Sequence, residues 1–286
     1  MRDHRADGLL LVDKPAGITS HAVVDRARHS VGTRRIGHAG TLDPFATGLL
    51  ILLVGRATRL LPFLDAEPKV YRATIRFGVQ TSTDDPEGDP VAEAPVPDEA
   101  AVDRAISSLT GHLLQRPPAF SAKRLGGVRA YAAARRGEPL ALEPVGVTVY
   151  EWRVLARDAA DLEVEIRCSG GTYVRALARD LGEAAGSAAH LAALRRTRSG
   201  RFNVCDARPI DALERGDIEM IPPTTAVAQL PTQLLDDLDA KRVIHGQTVV
   251  AKTTGAVAAL CHHDELLAIA VRDGESWRPK VVMRDA

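Results

Sequence analysis

The chain has 286 residues, 45% of them hydrophobic, and carries 37 basic side chains against 37 acidic ones. That is enough for one large domain and a small one. No apolar run approaches the ~20 residues of a membrane helix, and Arg2, Asp3, His4, Arg5 and Asp7 break any leader pattern, so a soluble, cytoplasmic protein is expected. Three widely spaced cysteines, Cys168, Cys205 and Cys261, make no disulfide framework. Zero net charge hides segregation. Residues 112–140 hold six bases and one acid, residues 195–201 four arginines and no acid, and residues 84–103 eight acids and no base. Such blocks can give a neutral protein a basic face.

Leu9–Val12 reads as a strand, followed by a turn and a helix from an N-cap at Ser20 to about Ser30. Gly37–Leu50 is a tight loop with Asp43 at its tip, feeding a buried strand that runs to Val54. Ala57–Leu64 reads as a short helix. Lys69–Gly78 alternates as a half-buried strand, with Tyr71, Ala73, Ile75 and Phe77 on one face. Thr81–Asp89 is an acidic turn. Asp98 caps a helix marked by Val102, Ile106 and Leu109 and stopped at Gly111. In the basic stretch, Pro117-Pro118 and Gly126-Gly127 break regular structure, and Ala130–Arg136 makes two helical turns. Phe120 and Tyr131 lie among its bases, which suits phosphate contact and base stacking; the alternative is a solvated loop.

Val145–Leu155 and Leu162–Cys168 read as strands. A glycine turn then leads into a helix opening near Tyr173. Arg175 falls in that helix's first turn, where the dipole disfavours a cation, so an anion must compensate it. Ala188–Arg196 reads as a short helix passing into a basic strand. Asp211–Ala240, with seven acids and one base, reads as a linker with short helices. Strands return at Val249–Lys252, Ala256–Cys261, Leu266–Val271 and Lys280–Met283. Cys261-His262-His263 makes a poor tetrahedral metal set, since adjacent ligands share one turn, and no metal is expected.

The wording of these segments resembles the TruB family of pseudouridine synthases. Gly37–Leu50 meets each fixed position of G-H-x-G-x-L-D-P-x-A-x-G-L-L. Asp13–Ser20 follows D-K-P-x-G-x-T-S, Lys69–Tyr71 follows K-x-Y, and Thr81–Gly88 is similar to T-D-T-x-D-x-x-G. Gly171–Arg175 is similar to G-T-Y-I-R, and His190–Phe202 follows H-L-x-x-L-R-R-T-x-S-G-x-F. The family's Y-S-A-x-K begins here with Phe120, and loss of the hydroxyl leaves the aromatic contact. More weakly, Arg242–Gln247 is similar to the entry of a PUA-like domain.

The resemblance implies an α+β fold: a catalytic domain over residues 1–225 with a central mixed, largely antiparallel sheet flanked by helices and loops, and a small β-rich PUA-like domain over residues 226–286. It implies isomerisation of uridine 55 in the tRNA T loop, with no cofactor. Asp43 would be the catalytic aspartate, Arg175 its ion-pair partner, and Tyr71 a stacking residue that assists proton removal. Tyr173 would wall the site, Leu194 would line the base pocket, and His38 would contact substrate from the Asp43 motif. Lys14 would be either an RNA contact or a solvated turn lysine. The basic insertion at residues 111–140, with Lys123, Arg124 and Arg129, would grip the T arm, and the arginines after Leu194 would lie near RNA. A monomer binding tRNA, with no membrane or metal, is the expectation. The rivals are a tRNA-binding and folding protein in which Asp43 is structural, and a guide-RNA-dependent synthase with the same motif.

Overall fold

The computed structural model describes residues 7–120, 124–125, 128–129 and 142–284. Strand β1 (Gly8–Lys14) is buried along most of its length. Helix α1 (Ser20–Val31) is capped by Thr19, one residue before the expected cap, with Ala22 N donating to Thr19 Oγ1 at 3.0 Å. Strands β2 (Ile36–His38) and β3 (Thr47–Val54) follow, then a 3₁₀ helix, Gly55–Phe63, that contains Pro62. Strand β4 (Lys69–Phe77) buries alternate residues, as its sequence alternates. β5 (Val79–Thr81) and β6 (Pro90–Glu93) flank the acidic turn. Helix α2 (Glu99–Ser108) is capped by Asp98, which accepts from Ala101 N at 2.6 Å.

Leu109, rather than Gly111, ends α2, and Gly111, at φ 99°, opens strand β7 (Gly111–Gln115). β8 (Arg124–Leu125) and β9 (Val128–Arg129) pair antiparallel. The helical turns expected over Ala130–Arg136 lie outside the described residues. Next come β10 (Val145–Asp158), β11 (Asp161–Cys168), α3 (Val174–Ala184), β12 (Ala189–Ser199), β13 (Phe202–Asn203) and β14 (Arg208–Pro209). The rest is α4 (Ile210–Glu214), α5 (Pro223–Ala226), β15 (Thr232–Leu234), α6 (Asp237–Ile244), β16 (Val249–Val250), β17 (Val257–His262), β18 (Glu265–Asp273) and β19 (Ser276–Val282).

One expectation fails outright. Ala188–Arg196 is not a helix leading into a strand; β12 is extended from Ala189 onward and pairs along β4. Alanine and leucine favour helix intrinsically, but a strand with ladder partners on both sides gains more from pairing than propensity loses. The β12–β4 register shifts at Leu191/Ala193 and Arg196/Arg198, as β-bulges do.

Internal contacts divide the chain into two compact units. One comprises residues 43–49 and 66–205. In it Thr47 and Gly48 pair parallel with β12, after which β12, β4, β11, β10 and β7 follow antiparallel, with β7 at the edge. Helix α3 packs on β12 and on α2. Tyr71, Ala73, Ile75, Val164, Ile166 and Leu191 form its buried face. Each such aliphatic side chain is worth about 1.5–3 kcal/mol when fully buried.

The other unit comprises residues 1–42, 50–65 and 206–286. Strand β1 pairs parallel with β14, and β2 pairs antiparallel with β3. Leu10, Val12, Val24, Leu50, Leu52 and Leu213 share one core there. The β-rich C-terminal part is a five-stranded sheet ordered β15-β17-β18-β19-β16. Trp277 is fully buried in it and donates its indole N–H to Gln233 Oε1 at 3.0 Å. Arg56 and Arg59 of the 3₁₀ helix donate to the carbonyls of Met283 (2.7 Å) and Val282 (2.8 Å). The architecture is the expected α+β one, with mixed, largely antiparallel pairing.

Candidate active site

Asp43 leaves the loop at a backbone turn closed by Ala46 N donating to the Asp43 carbonyl at 3.1 Å. Its side chain is one-third exposed, whereas that of Arg175 is 5% exposed. Arg175 Nη2 donates to Asp43 Oδ1 at 3.2 Å. Nε lies 2.9 Å from Oδ2, an ion-pair contact rather than a directed hydrogen bond. The expected Asp43–Arg175 pair is therefore present.

Arg175 is also held from behind. Nη1 donates to Asp85 Oδ2 at 3.1 Å and to the Thr83 carbonyl at 3.0 Å, and Nη2 donates to the Phe120 carbonyl at 2.9 Å. Asp85 is itself fixed: Thr83 Oγ1 donates to its Oδ1 at 2.5 Å and Glu87 N at 3.0 Å, while Thr81 Oγ1 donates to its carbonyl at 2.7 Å. Two carboxylates thus compensate the cation at the start of α3, where its position in the first turn requires only one. One turn further along α3, Arg179 pairs with Asp84 (3.0 Å) and Asp180 (2.7 Å) and donates to the Arg116 carbonyl at 3.0 Å. The acidic turn is consequently half interior, with Thr81, Asp84 and Asp85 all buried. Burial pushes the Asp84 carboxyl up, against the pull of Arg179.

Tyr71 lies on the inner face of β4 opposite Arg196 of β12. Burial pushes its phenol above the ordinary value of 10; the charge and a hydrogen bond of Arg196 pull the other way, and Asp43 is near enough to push it up further. The phenol is therefore neutral at physiological pH. Leu194 is buried, and its carbonyl accepts from Thr47 Oγ1 at 3.4 Å. With Phe45, Thr47 and Ala73 it lines a cleft of about 350 Å³. Tyr173 is half-buried at the N-cap of α3. The amide of buried Gln115 grips its backbone both ways, accepting from Tyr173 N at 2.8 Å and donating to its carbonyl at 3.1 Å. Neither Asp85 nor Gln115 was expected at the site; the T-x-D wording of the acidic turn was the one available signal.

Other expectations change. Lys14 is fully buried and donates to the carbonyls of Pro15 (2.9 Å) and Ile18 (2.8 Å), so its ammonium braces its own turn rather than standing in solvent. That turn leads to Ser20, whose Oγ donates to the Leu42 carbonyl (3.0 Å) and accepts from Leu42 N (2.9 Å), tying down the residue before Asp43. Arg196, read as an RNA-side arginine, is 1% exposed and faces the interior. His38 is half-buried at the end of β2, opposite Leu52. Arg124 and Arg129 are cross-strand partners in β8 and β9, and Lys123 lies outside the described residues. Burial pushes the Cys168 thiol up to about 11, which keeps it a thiol at neutral pH. Among the described residues, Asp237, His262 and His263 bring three potential metal ligands within 4.8 Å of one another. Asp237 is exposed and already bonds His262 at 2.9 Å, as a surface pair does without a metal, so no metal role is assigned.

The fold has counterparts among solved structures. The chain superposes with a TM-score of 0.72 and 24% identity on a chain of an archaeal box H/ACA sRNP Nop10–Cbf5 complex, covering 99% of this chain and 88% of that one. A Cbf5–Nop10–Gar1 complex matches at 0.71 and 25%, over 97% and 85% of the two chains. Residues 28–174 match the N-terminal domain of TruB family pseudouridylate synthases, and residues 175–219 match the C-terminal domain of tRNA pseudouridylate synthase B. The chain belongs to the TruB family. Proteins named tRNA pseudouridine synthase B are similar to it along nearly their whole length. That of Thermobifida fusca is 46% identical, covering 97% of this chain and 98% of its own. Those of Gloeobacter violaceus (44%; 97% and 99%) and Mycobacterium tuberculosis (42%; 98% and 96%) are comparably similar.

Proposed function

We propose that this chain isomerises uridine 55 of the tRNA T loop to pseudouridine, with Asp43 as the catalytic carboxylate and no external cofactor. The observation that carries the reading is a partly open aspartate held against a buried arginine at the family's motif position. The reaction breaks the C1′–N1 bond and forms C1′–C5; C5 loses a proton and N1 gains one, so nothing is consumed. A base inside a folded loop must first leave its stack, at a cost of a few kcal/mol. A carboxylate that acts on the detached sugar or base must remain ionised, which the adjacent guanidinium favours. Tyr71, neutral and near enough to feel the Asp43 charge, stacks on the base and assists removal of the C5 proton as an oriented hydrogen-bonding group rather than as the base.

In this reading Leu194 and Tyr173 wall the base, His38 contacts substrate, and Lys123, Arg124 and Arg129 of the basic segment grip the T arm. Residues 1–225 form the catalytic domain and residues 226–286 a PUA-like one, and the protein acts as a monomer. The decisive experiment maps pseudouridine on an unmodified tRNA transcript incubated with the purified protein alone. Product at position 55 is the expected result. Product only when a guide RNA is added, or tRNA refolding without product, overturns the reading.

A further inference from the structure

Arg196 is buried among sheet residues, where a guanidinium is costly unless its charge is offset and its donors find acceptors. Its engagements converge on the site. Nε donates to the Leu49 carbonyl, just beyond the Asp43 loop, at 2.7 Å. Its backbone meets Gly48, at φ 99°, so closely that a Cβ there would lie 2.3 Å from the Arg196 carbonyl oxygen. On its other side Arg196 is the cross-strand partner of Tyr71 and hydrogen-bonds the phenol. Arginine carries donors only, so the phenol oxygen is the acceptor and the Tyr71 O–H is left to point elsewhere.

Resting on the function proposed above, we infer that Arg196 is a positioning residue for the isomerisation: one guanidinium ties the strand that carries the Asp43 loop to the hydroxyl of Tyr71, fixing the carboxylate and the tyrosine relative to each other and aiming the tyrosine's proton. A lysine keeps the charge but lacks the fork that reaches both acceptors at once. Arg196 therefore acts on the chemistry through Tyr71, and without the Tyr71 hydroxyl the fork keeps only its hold on the Leu49 carbonyl.

The test compares wild type, Arg196→Lys, Arg196→Gln, Tyr71→Phe and the Arg196→Lys/Tyr71→Phe double variant. Single-turnover pseudouridine formation, tRNA affinity and melting temperature are measured on each. Arg196→Lys should slow the chemical step about tenfold, with tRNA affinity changed by less than about threefold. In the Tyr71→Phe background the same change should cost less than about twofold. Arg196→Gln, where it folds, should lose more than Arg196→Lys. A wild-type rate in Arg196→Lys overturns the inference, and so does an undiminished loss in the Tyr71→Phe background, the mark of a purely structural arginine. A second readout is independent of turnover. In 3-fluorotyrosine-labelled protein, the ¹⁹F resonance missing from Tyr71→Phe should shift in Arg196→Lys; an unmoved resonance overturns the contact itself. Wild type that makes no pseudouridine would instead count against the proposed function, and the ¹⁹F comparison still decides the inference.

Discussion

Arg175 is shared by two aspartates from very different segments. Asp43 comes from a glycine-rich loop and keeps a third of its side chain in solvent. Asp85 comes from the most acidic stretch of the chain and is 5% exposed, with a threonine hydroxyl and a backbone N–H on its Oδ1. The same cation therefore does two jobs. Towards Asp85 it completes a buried pair, where removal of one partner strands a charge. Towards Asp43 it holds a carboxylate whose side chain stays one-third exposed. Proximity to the cation is common to both carboxylates; exposure is what separates them.

The largest test of this contrast is Asp43→Asn. It should lower single-turnover product formation by more than about a thousandfold while tRNA affinity and melting temperature hold, because the amide keeps the shape and loses the charge. Residual turnover near wild type would make Asp43 a structural group like its neighbour. Asp85→Asn should behave oppositely. It leaves Arg175 half-compensated inside the protein and should cost about 3 kcal/mol of stability, read as a lower denaturant midpoint, with turnover down roughly 10- to 100-fold. An undiminished midpoint would mean that the buried pair holds nothing together.

Arg179→Met comes next, since it strips the cation from Asp84 and Asp180 without touching Asp43. Melting temperature should fall, and turnover should drop less than about tenfold; a collapse of turnover equal to that of Asp43→Asn would erase the distinction between framework and chemistry. The smallest effect is in the pH profile. A phenol raised above 10 stays protonated below that value, so Tyr71 should add no alkaline limb between about pH 7 and 9. A rate falling through that window in wild type but not in Tyr71→Phe would show the phenol ionising there.

What could be read from the residues, and what could not, follows one line. Asp43 and Arg175 were legible because their wording is local, a loop motif and an arginine misplaced in a first helical turn. Asp85, Gln115 and Arg196 were not, because their contacts arise only when distant segments meet: a run of acids reads as solvated until a helix with two arginines lands on it. Lys14 misled for the same reason, since a lysine in a turn gives no sign that its own carbonyls will enclose it. The alanine-rich start of β12 misled through propensity, which pairing with β4 overrode.

The close meeting of Gly48 with Arg196 has a thermodynamic consequence. The short arc that presents Asp43 is pinned on its C-terminal side. Most of the conformational entropy of placing the carboxylate is thus lost once, during folding, and is not lost again at each encounter with RNA. RNA binding should then carry a small ordering term from this loop, its heat and entropy coming mainly from the RNA's own rearrangement and from displaced counterions.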